Sequence, residues 1–147
     1  MSQLKRLLTG VLPVCGTVDI VTSYLDVLAI VGYRGFIDNV LFCQTVDQWI
    51  QTNGVPGEII SGGCRGADTL AEQYAPKHKI DFHKYPPDWK RYPSGNTAYT
   101  MRDREMAKAC THMIAFPCMS KGKGTQLTIQ FAKQFHKPVK VVPVCDK

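Results

Sequence analysis

The clearest chemistry in this chain lies in Ser61-Gly62-Gly63-Cys64-Arg65-Gly66-Ala67-Asp68. Ile59-Ile60 leads into it, and Leu70-Ala71-Glu72-Gln73-Tyr74-Ala75 follows with helical character, so it reads as strand, glycine-rich turn, helix. Gly62, Gly63 and Gly66 permit positive φ and a close approach of backbone to ligand. The helix start then offers unpaired N–H groups and partial positive charge, which suit a phosphate or carboxylate. The alternative is a tight turn that binds nothing. Ser61 either donates to a phosphate or ribose or makes a local turn hydrogen bond. Asp68 either caps the turn or accepts a ribose hydroxyl. Arg65 faces an anion or solvent.

Lys121-Gly122-Lys123-Gly124-Thr125 is a second glycine-rich turn. Gly122, Lys123, Gly124 and Thr125 are the candidate members of a second anion nest, with an N-cap as the other role for Thr125. The spacing lacks G-x-x-x-x-G-K-[ST], so no nucleotide triphosphatase is inferred. Arg34 directly follows an apolar strand, and its planar fork suits bidentate contact with a phosphate or base. Arg102 is the foremost candidate, for phosphate binding or for supporting charge on a leaving base. Its other reading is a salt bridge to Asp103 or Glu105, although neighbours along one helix point apart. Asp88 and Trp89 sit in a loop stiffened by Pro86, Pro87 and Pro93. Trp89 either stacks on a base or pins the loop to the sheet. Acid–base chemistry needs a carboxylate within reach of the scissile group, and Asp88, Asp103 and Asp68 are the candidates, none at diagnostic spacing.

These residues need a scaffold that gathers loops at one edge. Val27-Leu28-Ala29-Ile30-Val31 is a continuous apolar run of the kind that suits a parallel strand buried on both faces. Strands are also expected at Glu58–Ile60, Ile80–Tyr85, His112–Phe116 and Val139–Val144, with the third nearest an edge. Helices are expected after Asp38 or Asn39, from Ala67 to Ala75, from Asn96 or Thr97, and after Thr125. Pro56-Gly57 reads as a break. The fold class is therefore α/β: a single three-layer Rossmann-like domain with a mainly parallel five-stranded sheet, in the expected order 3-2-1-4-5. Residues 1–25 are set apart as an N-terminal extension, either a dimer contact or an element covering a sheet edge; residues 26–147 form the nucleotide-binding domain.

The chain has 147 residues, enough for one domain with a real core. Its six cysteines form no CxxC pair, and its four histidines are not grouped with them at zinc-like spacing, so no metal site and no cofactor are expected. Free thiols in a reducing, cytoplasmic setting are expected from the α/β pattern and the want of a signal peptide. No run of 18 uninterrupted apolar residues argues for a membrane span. The formal charge of +6 fits a small anionic ligand and also permits nucleic acid. Bare sheet edges and the apolar N-terminus point to a homo-oligomer.

Five fragments in order resemble a known superfamily: Gly32, Arg34 and Phe36; Ser61 to Asp68; Asp88-Trp89; Arg102-Asp103 with Met106; and Gly122, Gly124, Thr125. The pattern is G-x-R-x-F, S-G-G-x-x-G-A-D, a D-W loop, R-[ND]-x-x-M and G-x-G-T. It is similar to the SLOG, or DprA-like, Rossmannoid superfamily, which also holds the lonely-guy phosphoribohydrolases and lysine-decarboxylase-like proteins. It lies nearest a small, uncharacterised bacterial and phage branch. The resemblance covers residues 27–144 and implies nucleotide binding at the C-terminal edge of the sheet. The phosphoribohydrolases carry a glutamate just after their final G-T. Here Gln126, Leu127 and Thr128 follow, and Cys118-Met119-Ser120 interrupts the P-G-G-x-G-T pattern, so the hydrolase chemistry is in doubt. The reading is a protein that binds a nucleoside monophosphate or an NAD- or ADP-ribose-like nucleotide, with N-glycosidic hydrolysis through Arg102, Asp88 and Asp103 if it is an enzyme. The alternatives are a non-catalytic single-stranded DNA-binding protein resembling DprA, and a nucleotide signal sensor.

Overall fold

Alternation along the central strand sets the layers. In β1 (Thr22–Gly32), Leu28 and Ile30 face one way and Ala29 and Val31 the other, and all four are buried. A computed structural model of the chain describes residues 22–145. The expected N-terminal extension up to residue 21, with Cys15, lies outside the described residues. The strand begins at Thr22, so residues 22–25 belong to the sheet.

The remaining elements are α1 (Asn39–Asn53), β2 (Val55–Ser61), α2 (Ala67–Lys77), β3 (Asp81–Lys84), α3 (Gly95–Ala109), β4 (His112–Phe116), α4 (Lys123–Gln134) and β5 (Val139–Val141). Among the described residues the strands form one sheet in the order β3-β2-β1-β4-β5, with every pairing parallel. This is the three-layer Rossmann-like architecture and the strand order expected above. Pro56 and Gly57 do not break the chain; they lie within β2. They face a register irregularity, where β1 advances from Ser23 to Val27 while β2 advances only from Pro56 to Glu58. A proline and a glycine are tolerated in a strand at such a place. The final strand is shorter than expected, ending at Val141.

The two helical layers are packed differently. On the α1/α2 face, Phe42, Val46, Trp49 and Tyr74 fill the core with Leu28, Ile30, Ile59 and Phe116. Phe36 and Phe42 both stack on Phe116, at ring separations of 4.8 and 5.4 Å. This anchors the loop after β1, which is tied further by Tyr33 N–H to the Phe116 carbonyl at 2.9 Å. On the α3/α4 face four alanines, Ala29 and Ala115 from the sheet and Ala107 and Ala132 from the helices, pack among Ile60, Met106, Met113 and Ile129. Towards the C-terminal strand edge this layer opens into a cleft.

One covalent feature departs from the expectation of free thiols. Cys118 and Cys145 form a disulfide, with Cα atoms 4.8 Å apart. The segment after β5 keeps running beside β4's exit, with Val142 N–H on the Ala115 carbonyl and Val144 N–H on the Pro117 carbonyl. That path brings Cys145 onto Cys118 across 27 residues of sequence. Cys43, Cys64 and Cys110 are free among the described residues. Among those residues no helix is long and apolar enough to cross a membrane.

Closing a loop of this length limits the unfolded chain by about 3–4 kcal/mol on a chain-entropy account. Cys145→Ser is therefore expected to lower unfolding stability by up to that amount in urea. Reductant is expected to lower the wild type to the same level and leave the variant unmoved. Equal stability of variant and wild type without reductant would show that the bond contributes nothing.

Candidate functional site

The glycine turn after β2 is shaped by what packs against it. A Cβ on Gly62 would lie 2.6 Å from Arg102 Nη1 and 3.1 Å from an Asp68 carboxylate oxygen. Gly66 has φ +78°, and a Cβ there would lie 2.3 Å from the Tyr33 carbonyl oxygen. The first glycine makes room for a side chain, and the second lets α2 start directly beneath the loop after β1. Asp68 closes the turn: its carboxylate accepts from the Cys64 backbone N–H at 3.0 Å. It caps the turn and not the helix, whose N-cap is Gly66 with no side-chain hydrogen bond.

Arg102, on α3, is buried and holds several groups at once. Its Nη1 donates to the carbonyls of Gly62 at 2.7 Å and Tyr85 at 3.2 Å. Its Nε donates to Asp103 at 2.7 Å. Its Nη2 points towards Cys64 Sγ at 3.7 Å, on the side of the openings. Adjacent helix residues ordinarily diverge, but here the long arginine side chain brings Nε back to its neighbour. Burial works against the charge on Arg102, and the Asp103 carboxylate more than offsets that, holding the guanidinium above its ordinary value. Asp68 is pushed up to about 6 by burial, against the pull of the Cys64 N–H and of Arg102.

The main cleft has a volume of about 470 Å³ and lies between α3 and α4, over the end of β1 and beside Gly122 in the segment that joins the neighbouring strand β4 to α4. From β1 and β4 the sheet order runs in opposite directions, where such folds open a crevice. Of the residues singled out from sequence, Arg34, Asp68, Arg102, Asp103, Gly122, Gly124 and Thr125 line it. Gly122 adopts the left-handed conformation as the N-cap of α4, without a side-chain cap. Gly124 has open space where a Cβ would go, so the first turn of α4 is bare towards the cleft. Thr125 is not the N-cap but lies inside the first turn, buried against the cleft.

A second, more open cleft of about 320 Å³ adjoins the first and is lined by Gly62, Gly63, Arg65 and Trp89, with Arg34, Cys64, Tyr99 and Arg102 shared between the two. Asp88 lines neither. It opens to a third hollow, with Tyr92 and Glu105, and its carboxylate accepts from the Arg91 N–H in a local turn. Asp88 and Asp103 are thus not gathered around one opening. Ser61 is fully buried beneath the turn and reaches no cleft. Its hydroxyl lies near enough to Asp68 to favour that carboxylate's charge, without a well-formed hydrogen bond. Gly66 is packed under β1's loop, and Lys123 is exposed at the start of α4 beside the cleft lining. Trp89 is 49% exposed and meets Tyr99 edge-on at 5.4 Å.

Sequence inspection passed over Asn96, Tyr99 and Thr100, which line the main cleft with Asp103 and Met106. Asn96, Tyr99, Thr100, Asp103 and Met106 recur at the three- and four-residue steps of one helix face. That periodicity was the available signal. Tyr99 also lies against both guanidiniums, 5.7 Å from Arg34 and 5.4 Å from Arg102. Among the described residues no group of His, Cys, Asp and Glu is placed to hold a metal ion.

A family model described as YAcAr, the YspA, cpYpsA-related SLOG family, matches residues 26–92, from β1 through the Trp89 loop. The fold is similar to that of DNA processing protein A from Helicobacter pylori, a structure described for its unique single-stranded DNA binding mode. The TM-score is 0.62 at 18% identity, covering 84% of this chain and 68% of that one, and the likeness is one of fold. No curated protein matches the chain.

The raised Asp68 carboxyl has a definite consequence for stability. Its folded value of about 6 lies above the ordinary carboxylate value, so the folded state binds more proton between the two. The stabilising contribution is complete below about pH 4 and is lost as pH rises through about 6, by roughly 1–3 kcal/mol. Asp68→Asn keeps an acceptor for the Cys64 N–H, and it is expected to flatten the pH 4–7 slope of unfolding free energy. An unchanged slope would mean that Asp68 is charged throughout.

Proposed function

We propose that this chain is a nucleotide-recognition domain that binds a phosphate-bearing nucleotide in the cleft between α3 and α4, without cleaving it. The observation that carries this reading is the pairing of two chemistries in one cleft. Arg34 and the uncapped start of α4 suit a phosphate. Asp68 and Asp103 offer acceptors for ribose hydroxyls or a base amino group. The volume is that of an ordinary small-ligand site. In this reading Arg102 is a positioning residue, because its Nη1 is committed to carbonyl oxygens. Hydrolysis is not assigned: Asp88 opens to a different hollow from Asp103, and Gln126 stands where the phosphoribohydrolases carry glutamate. The partial match to the SLOG family supports nucleotide association at this edge.

A second reading is single-stranded DNA, the ligand named for the structural neighbour. It is favoured by the run of three adjoining hollows along α3, all touched by Arg102, and by the formal charge of +6. The two readings differ in salt dependence, which is steep for a backbone carrying several phosphates.

Calorimetric titration with AMP, and anisotropy with a labelled ten-nucleotide DNA, test both at two salt concentrations. The expected result is saturable AMP binding with shallow salt dependence. Arg34→Ala is expected to weaken it by about tenfold or more, the worth of one charge-assisted contact. Arg34 is exposed, and its side chain makes a long contact to Cys64 Sγ and lies over the Tyr99 ring, so the variant is expected to keep its melting temperature. Undiminished AMP affinity in Arg34→Ala would overturn the assignment of the phosphate.

A further inference from the structure

We propose that the open cleft beside the main one is a second nucleotide subsite, so that the ligand is two nucleosides joined through phosphate. This rests on reading the α3–α4 cleft as the first subsite.

The two hollows, of about 470 and 320 Å³, share a wall made by Arg34, Tyr99 and Arg102. Their chemistry differs. The main cleft carries both carboxylates, Asp68 and Asp103. The second carries none; it is lined by Arg34, Arg65 and Arg102 and by the indole of Trp89. Trp89 is 49% exposed, with its ring steeply inclined to that of Tyr99. An exposed indole beside the guanidiniums of Arg34 and Arg65, with no acid in the lining to repel an anion, is the composition of a stacking platform next to a phosphate. Arg34 lies at the junction, near the Tyr99 ring and on the wall of both hollows. A bridging phosphate there would place one sugar among the carboxylates and the other base against Trp89. A 3′–5′ phosphodiester and a 5′–5′ pyrophosphate both present two nucleosides joined in this way.

The test is calorimetric titration of the full chain with AMP, the 3′–5′ dinucleotide pApA, diadenosine 5′–5′ diphosphate, and a ten-nucleotide DNA. At least one two-unit ligand is expected to bind tenfold or more tighter than AMP, and which one does so identifies the linkage. Trp89→Ala is expected to abolish that advantage and Trp89→Phe to restore most of it, by the roughly ten- to hundredfold that base stacking contributes. Trp89 is on an exposed loop; Arg65→Ala, in the turn after β2, supplies an independent variant with the same expected loss. Two-unit ligands that bind no tighter than AMP would overturn the second subsite and leave the first standing. Affinity that keeps climbing from two to ten nucleotides would overturn it in favour of a longer strand. If neither AMP nor any two-unit ligand binds, the nucleotide reading fails and takes the second subsite with it.

Discussion

The buried Arg102 guanidinium is the interaction on which the shape of the site depends. The chain leaves β2 at Ser61 and turns away before its next backbone groups find a strand partner. The Gly62 carbonyl is left facing inward, and the Tyr85 carbonyl after β3 lies near it. Arg102 satisfies both from a third element, α3, and is neutralised by its own neighbour Asp103. Each carbonyl would cost about 1–3 kcal/mol if buried unpaired. The same side chain requires a glycine at position 62, because a Cβ there would collide with it. The turn, the exit of β3 and the cleft-facing helix are thereby fixed relative to one another.

The sheet's two faces divide the remaining work. Large aromatic and branched side chains fill the α1/α2 side and hold the loop after β1 through Phe36, Phe42 and Phe116. That rigid side aims Arg34. On the α3/α4 side aliphatic and sulfur-bearing side chains, Ile60, Met106, Met113 and Ile129, pack with four alanines, and polar groups line the space at the strand ends. The cleft is where this second layer parts from the sheet, at the place where the strand order reverses.

Much of this was legible in the residues themselves. The apolar strand at Val27–Val31 and the alternation of strand and helix signals point to a parallel sheet, and its order was expected from the Rossmann-like architecture they imply. The glycine turns mark the C-terminal edge of the sheet, where the main cleft opens. What was not legible depends on distance. Arg102 is a plausible phosphate ligand as a residue type, and its commitment to two carbonyls appears only when turns 40 and 17 residues away are folded beside it. Ser61 belongs to a motif but faces inward because the strand alternates. The Cys118–Cys145 bond joins residues brought together by the path of the last segment, for which no spacing rule exists. Tyr99 was hidden in a helix read for its apolar positions, although its three- and four-residue relation to Asn96 and Asp103 was there to be read. Asp88 and Trp89 are adjacent in sequence yet face different hollows, and adjacency gave no sign of that.

The account turns on Arg102 acting on the protein's own backbone. Urea unfolding of Arg102→Ala measures this directly, with Arg102→Lys as the variant that keeps the charge but loses the fork. Removing one partner of a buried ion pair that also satisfies two carbonyls is expected to lower stability by about 3–5 kcal/mol, with lysine recovering only part of it. An alanine variant with wild-type stability that has lost only nucleotide affinity would contradict the account and make Arg102 a direct ligand of phosphate.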